Sequence, residues 1–198
     1  EDILGTYLVQ LRARKMGVDE SEEATELLKS IGDFERISDH AVNILESAEE
    51  LRGKGIEFSE TAQQELQVLG EALREIMDYA YRSFTAVDAQ TARRIEPVEE
   101  VVDDMVATLR TNHIRRLRDG QCTVYAGLVF LDILINAERI ADQCSNLGVY
   151  TISQFDPSVM NSHHEYIHRL HQGNDPVFNR EYQEKHEKYF GMLSAIND

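Results

Sequence analysis

The chain has 198 residues, 42% of them hydrophobic, with three Pro and no low-complexity stretch, so it can bury a sizeable core and does not read as a disordered tail. A formal net charge of -16 argues against a nucleic-acid backbone or an anionic lipid surface as partner and favours cations. The longest apolar stretch, residues 125–137, is interrupted by Asp132 and falls short of the roughly 20 residues a bilayer span needs, while Cys122 and Cys144 form no disulfide framework and suit a reducing compartment.

In chain order the pattern is helical almost throughout. Residues 1–15 read as the back half of a helix, with Ile3, Leu4, Leu8 and Leu11 on one side, ending before Gly17. An amphipathic helix follows over about 22–51, its apolar face built from Leu27, Leu28, Ile31, Phe34, Ile37, Ala41, Ile44, Leu45 and Ala48, and Gly53-Lys54-Gly55 ends it. Ser59 and Thr61 open a third helix that runs through Leu66, Leu69, Leu73, Ile76, Ala80 and Phe84 to about Asp88. A fourth, about 97–117, starts with Pro97 in its first turn and closes at Asp119-Gly120. The fifth, about 123–147, is expected to stop at Gly148. Asp175-Pro176 reads as an N-cap and first-turn proline for a last helix whose Phe178, Tyr182, Tyr189 and Leu193 form a stripe suited to docking on the bundle. His164, His168 and His171 in the tail fall on one face of a short helix, a spacing able to bind Zn²⁺ or Ni²⁺. No alternating strand pattern is present.

The pattern Glu-Arg-Ile-x-Asp-x-x-x-Asn occurs twice, at residues 35–43 and 138–146, and average composition would produce such a pair in about one chain in a hundred or fewer. The chain is therefore read as a duplication. Each copy places Glu35, Asp39 and Asn43, or Glu138, Asp142 and Asn146, on one polar stripe of a helix. The second copy ends an up-down-up three-helix bundle. Matching Tyr7-Leu8-x-x-Leu11 to His113-Ile114-x-x-Leu117 makes residues 1–15 the end of a middle helix, so the first bundle lacks its first helix and the chain reads as a piece of a longer protein. Leu27, Phe34 and Ile44 would then face water, and upstream residues or a subunit partner are expected to cover them. The division is 1–55 for a partial first repeat, 56–150 for a complete second one and 151–198 for a C-terminal extension.

A second acid pair, Glu99 and Asp103, lies one helix before Glu138 and Asp142 with the same spacing. Antiparallel packing brings the pairs face to face, and four converging carboxylates repel unless protonated or bridged by a cation. All-oxygen ligation favours Mg²⁺, Mn²⁺, Ca²⁺ or iron, and Zn²⁺ less because no Cys or His belongs to the set. The competing reading is an ordinary solvated acidic face, since Glu100 and Asp104 adjoin the pair. Arg36 and Arg139 are candidate anion ligands or structural ion-pair donors; Asn43 and Asn146 either support ligands from behind or bond between helices. His40 is Gln143 in the other copy, which argues against a shared ligand role, and His113 is read as structural.

The form Glu-Arg-Ile-x-Asp-His-x-x-Asn resembles the third-helix motif of the PhoU family, whose members are all-α tandem three-helix bundles. His113-Ile114-Arg115-Arg116-Leu117, Asp119-Gly120-Gln121-Cys122, residues 161–166 and Asn174-Asp175-Pro176-Val177-Phe178-Asn179 resemble the PhoU-like cytoplasmic domain at the C-terminus of bacterial sodium/phosphate cotransporters. The resemblance implies a regulatory domain without catalysis that modulates sodium-dependent phosphate transport at the cytoplasmic face of the bacterial inner membrane. Its implied partner is a transporter domain upstream on the same polypeptide, with a homodimer as a second arrangement. It implies multinuclear metal clusters of iron, Mn, Mg or Zn on Glu99, Asp103, Glu138 and Asp142, and on Glu35 and Asp39 in the incomplete repeat. Two other function classes fit the acids: a di-metal carboxylate enzyme in a helical bundle, and a metal-free structural adaptor.

Overall fold

The computed structural model describes residues 2–12, 17–160 and 163–197. Among the described residues every regular element is a helix: α1 (Asp2–Arg12), α2 (Val18–Gly53), α3 (Glu60–Ala86), α4 (Ala89–Ala92), α5 (Ile95–Arg118), α6 (Val124–Ser153), α7 (Pro157–Met160), α8 (His163–Arg169), a π-helical turn (Leu170–Asn174) and α9 (Pro176–Asn197). The expected all-α bundle is what forms.

Local chemistry explains most boundaries. Ser59 accepts a bond from the Ala62 amide and Thr123 from the Ala126 amide, each satisfying an N–H that the first helical turn leaves orphaned. Asp175 Oδ1 takes the Val177 and Phe178 amides at 2.8 and 3.0 Å, so the cap read from Asp175-Pro176 is real. Gly55 and Gly120 adopt the left-handed conformation after α2 and α5, where a Cβ would be strained.

Gly148 departs from expectation, because α6 runs through it to Ser153. It serves close packing: a Cβ there would lie 2.9 Å from Ile95 Cδ1 and 3.4 Å from the Ala92 carbonyl. The preference for Gly after a helix was a weaker constraint than the approach of α6 to the α4–α5 junction.

Helices α3, α5 and α6 pack pairwise around Leu69, Ile76, Val98, Met105, Leu109, Phe130, Leu134 and Leu147, all essentially inaccessible to water. His113 is inside this packing, stacked on Phe130 at 4.9 Å, and Gly127 leaves its imidazole room: a Cβ at 127 would sit 2.7 Å from Nε2. Arg116 pairs with fully buried Glu65 at 2.8 Å nearby, and Asn112 donates to the other Glu65 oxygen. The structural reading of His113 stands.

Helix α2 lies along α6, which corrects the expectation that Leu27, Phe34 and Ile44 need an upstream or partner cover. Phe34 meets the Phe84 ring edge-on at 5.0 Å, Ile44 packs with Leu51, Val129 and Ile133, and Leu27 is half-buried. The second repeat of the same chain supplies the apolar surface. In turn Ala41, Leu45 and Ala48, expected on the apolar face, are exposed, as are Ile3 and Leu4 of α1. The Leu11 side chain and residues 13–16 lie outside the described set.

Helix α9 seals the groove between α3 and α5 with Phe178, Tyr189 and Leu193, as its stripe suggested, and is pinned by charge as well. Glu75 of α3 accepts bonds from Lys185 at 2.7 Å, Lys188 at 2.9 Å, Tyr79 at 2.9 Å and the Tyr189 hydroxyl. Burial alone would raise the Glu75 pKa, yet bonds from Lys185, Tyr189, Lys188 and Tyr79 outweigh it and hold the carboxyl down at about 2. A folded-state pKa below the unfolded value of 4.5 stabilises the protein above that value and ceases to do so as pH falls toward 2. Glu75→Gln should therefore cost about 3 kcal/mol at neutral pH, because buried Lys185 loses its counter-charge. Urea denaturation at neutral and strongly acidic pH measures both effects, and the difference between wild type and variant should shrink in acid.

Candidate metal centre

Helix α5 buries Val98, Val101, Val102 and Met105 in the core, and the 3.6-residue period then carries Glu96, Glu99, Glu100 and Asp103 along the adjoining edge. Helix α6 buries Ile140, Ala141 and Cys144, which turns Asp142 toward the same edge. Ligand oxygens of Glu99, Asp103 and Asp142 come within 4.8 Å of one another. Glu138, one turn earlier on α6, leans to Arg110 at 3.5 Å while its charge still bears on Asp103. Three of the four expected acids converge, and the fourth flanks them.

The site is costly when empty of positive charge. Glu99 is only 8% exposed and no described donor bonds to it. Burial first, then the charges of Glu96, Asp103, Asp142 and Glu100, push its pKa up to about 9. Burial, then Glu138, Asp142, Glu100 and Asp104, lift Asp103 to about 7, and its Oδ1 is buried without a hydrogen-bond partner. The orphaned Asp103 oxygen and the neighbouring carboxylates line an open cleft of about 650 Å³ and form a donor set of the type that suits a hard or intermediate cation.

Two residues of this cleft escaped the sequence reading of the acid pairs. Glu96, buried on the first turn of α5, accepts a 2.5 Å bond from Ser145 and faces His171 Nε2 at 2.9 Å. His171 Nδ1 is 3.2 Å from Glu100. Glu96 precedes Glu99 by three residues and Ser145 follows Asp142 by three, so the same helical spacing would have found both. His171 was expected to group with His164 and His168. Instead His171, just before left-handed Gly173, meets the acids of α5, while His168 Nδ1 meets Gln172 at 3.1 Å. The His164 side chain lies outside the described set. Ligand atoms of Glu96, Glu99 and His171 also lie within 4.8 Å of one another, so a histidine stands beside the acids that the sequence reading grouped without one.

The first repeat differs. Glu35 and Asp39 are exposed on α2 and belong to no such grouping among the described residues. Arg36 and Arg139 are both held by acids on their own helices, Asp33 at 3.4 Å and Asp142 at 3.0 Å. Asn43 donates to Asn136 Oδ1 at 3.1 Å, His40 meets the same oxygen at 2.9 Å, and Ser47 donates to Asp132 at 2.8 Å. The far end of the first stripe is thus a seam between α2 and α6. Asn146 lines both the acidic cleft and the groove between these helices.

A family model described as the PhoU domain matches residues 2–48 and 66–151. The chain belongs to the PhoU family. It is 31% identical over 121 residues to the phosphate-specific transport system accessory protein PhoU homolog 1 of Thermotoga maritima, an alignment that takes in 61% of this chain and 51% of that protein. The chain thus spans about half the length of that curated relative. No solved structure matches it significantly. Both copies of the repeated motif and the acids of α5 fall within the PhoU match, whereas His171 lies beyond it.

The raised pKa values have a defined sign. Groups with folded-state pKa above the unfolded values of 4.5 for Glu99 and 3.8 for Asp103 leave the chelated protein most stable below those values, and stability is lost as pH rises toward about 7 and 9. Glu99→Gln should flatten this loss and exceed wild type by about 2 kcal/mol at alkaline pH in chelator. Thermal denaturation across the pH range reads it; an unchanged slope would show that the carboxylates do not strain the fold.

Proposed function

We propose that this PhoU-family domain regulates phosphate transport by a membrane transporter and holds cations, of iron, Mn, Mg or Zn, at the acidic edge shared by α5 and α6. The observation that carries the metal part is buried Glu99, given no hydrogen bond by any described residue and packed against Asp103 and Asp142. Only a proton or a cation relieves that arrangement, and at physiological pH a multivalent cation does so for all three acids together. The regulatory part is supported by family membership and by the relative's role, in its name, as an accessory protein of a phosphate-specific transport system.

The residues divide the work. Glu99, Asp103 and Asp142 hold the ion; Glu138 orients Arg110, and Asp142 orients Arg139, at the margin of the same edge. A bound cation supplies positive charge where the bare carboxylates repel phosphate. The two arginines are then the side chains an approaching phosphate meets first. Glu35 and Asp39 extend the proposal only weakly, since their helix offers no converging third ligand among the described residues. Dependence on sodium, attachment to a cotransporter on the same polypeptide and residence at the cytoplasmic face of the inner membrane are part of the proposal, supported by the tail motifs. Among the described residues no helix is long and apolar enough to cross a membrane. The domain itself acts by binding rather than catalysis.

Protein purified without chelator or a nickel column should contain metal, and its melting temperature should rise with added Mn²⁺ by mass action, about 2.7 kcal/mol at a hundredfold excess over Kd. Asp142→Asn should lower the metal content and abolish the Mn²⁺-dependent melting shift; wild-type metal content together with an undiminished shift would remove the site. In the full-length transporter system at matched membrane abundance, Glu138→Gln/Asp142→Asn should change the response of uptake to phosphate. Identical uptake would leave any metal a structural role.

A further inference from the structure

Helix α6 holds four aliphatic side chains away from the core. Val124, Leu128 and Ile135 are 72%, 62% and 49% exposed, and Leu131 between them is half-buried. Spacings of four, three and four residues put them on one stripe, the spacing of a seam that receives another helix, and the stripe continues as Glu138 and Asp142. On α5, which packs beside α6, exposed Ile114 and half-buried Leu117 follow Arg110 at the same spacing. The fold does not call for this surface. Aligning the repeats on Glu35 and Glu138 sets Ser21, Thr25, Leu28 and Gly32 of α2 at the four positions, so three exposed aliphatics stand where the first copy has two hydroxyls and a glycine. A contiguous exposed apolar stripe on a strongly charged chain marks a contact surface. Charge is divided along it. Residues 105–118 contain four arginines and no acid in a chain of net charge -16, and Arg118 lies exposed where α5 ends, whereas Asp103, Glu138 and Asp142 crowd the other end.

We propose that this stripe binds a second copy of the chain, α6 against α6, antiparallel and two-fold symmetric. A two-fold contact needs a surface that complements itself, and here an acidic end and an arginine-bearing end flank one apolar middle. Setting Leu128 against Leu131 of the second copy also sets Val124 against Ile135 of the second copy. The same register carries Glu138 and Asp142 over the loop between α5 and α6 of the second copy, next to its Arg118, and symmetry repeats the exchange. Each copy thereby brings an arginine to the acidic edge of the other. A parallel arrangement would set acids on acids. The aliphatic stripe contains no metal-ligand atoms, so the contact forms with the candidate metal centre empty or filled.

Sedimentation equilibrium of the chain in chelator provides the test, separately from any metal binding. Wild type should sediment at twice its mass of 22.7 kDa. Leu128→Glu, at an exposed position, should leave circular dichroism unchanged and sediment as a monomer. Arg118→Glu should weaken the dimer roughly fivefold, and Arg118→Glu/Glu138→Arg should restore it. Register is read by cross-linking in a Cys122→Ser background. Oxidation of Val124→Cys/Ile135→Cys should link two chains through disulfides, whereas Val124→Cys alone stays unlinked, because the two copies of position 124 are offset by about 17 Å along the helices at 1.5 Å per residue. A monomeric wild type overturns the contact and leaves the stripe to a different protein or a lipid surface. A dimer that survives Leu128→Glu, or a double-cysteine variant that does not cross-link, assigns dimerisation to another face and overturns it equally.

Discussion

Close packing between α5 and α6 forces carboxylates together. Both helices must bury one apolar face, Val98, Val102 and Met105 on α5 and Ala137, Ile140 and Cys144 on α6, and the helical period then leaves no freedom over where Glu99, Asp103 and Asp142 go. Core burial outweighs the repulsion, since each large apolar side chain contributes roughly 1.5–3 kcal/mol. The repulsion is stored at the edge as raised pKa values and orphaned oxygens. The gathering of Glu99, Asp103 and Asp142 is thus a consequence of folding itself.

A comparison within the same molecule shows that burial alone does not make such a site. Glu75 is also partly buried, yet its carboxyl sits far below the ordinary range because Lys185, Lys188 and two tyrosine hydroxyls surround it. Glu65 is wholly buried and paired with Arg116. These acids have opposite charges or donors beside them within the protein and tie elements together: Glu75 docks α9, and Glu65 joins α3 to α5 through Arg116 and Asn112. At the α5–α6 edge, by contrast, Glu99, Asp103 and Asp142 face one another, and that difference in partners sets a candidate site apart from structural ion pairs.

The duplication has diverged along the same logic. In the second copy the stripe opens onto a cleft lined by α5 and the π-helical turn; in the first, Asn43 and His40 close onto Asn136 and Ser47 onto Asp132, so the stripe becomes a polar seam that sets how α2 lies on α6. Glu35 and Asp39 remain at the exposed end. The same residue types at the same spacing thus serve packing in one copy and meet the acids of α5 in the other, according to what stands opposite.

Periodicity and punctuation in the sequence determined the main helices, the caps at Ser59 and Asp175, the turns at Gly55 and Gly120 and the convergence of α5 acids on Asp142, because these depend on spacing within a helix and on short loops that impose antiparallel neighbours. Three matters were decided only in three dimensions. Gly148 continues α6 because of what lies across from it, Ile95 and the Ala92 carbonyl, which no local pattern encodes. Phe34 and Ile44 are covered by α3 and α6 because an apolar helix face docks on whatever apolar surface is nearest, and the second repeat offered one. His171 reaches Glu96 and Glu100 because the segment after α8 lies against α5, a contact between distant parts of the chain that spacing within one helix does not encode. Sequence spacing reports side chains on one helix; which side chains from distant segments meet is settled by how the packed helices share their surfaces.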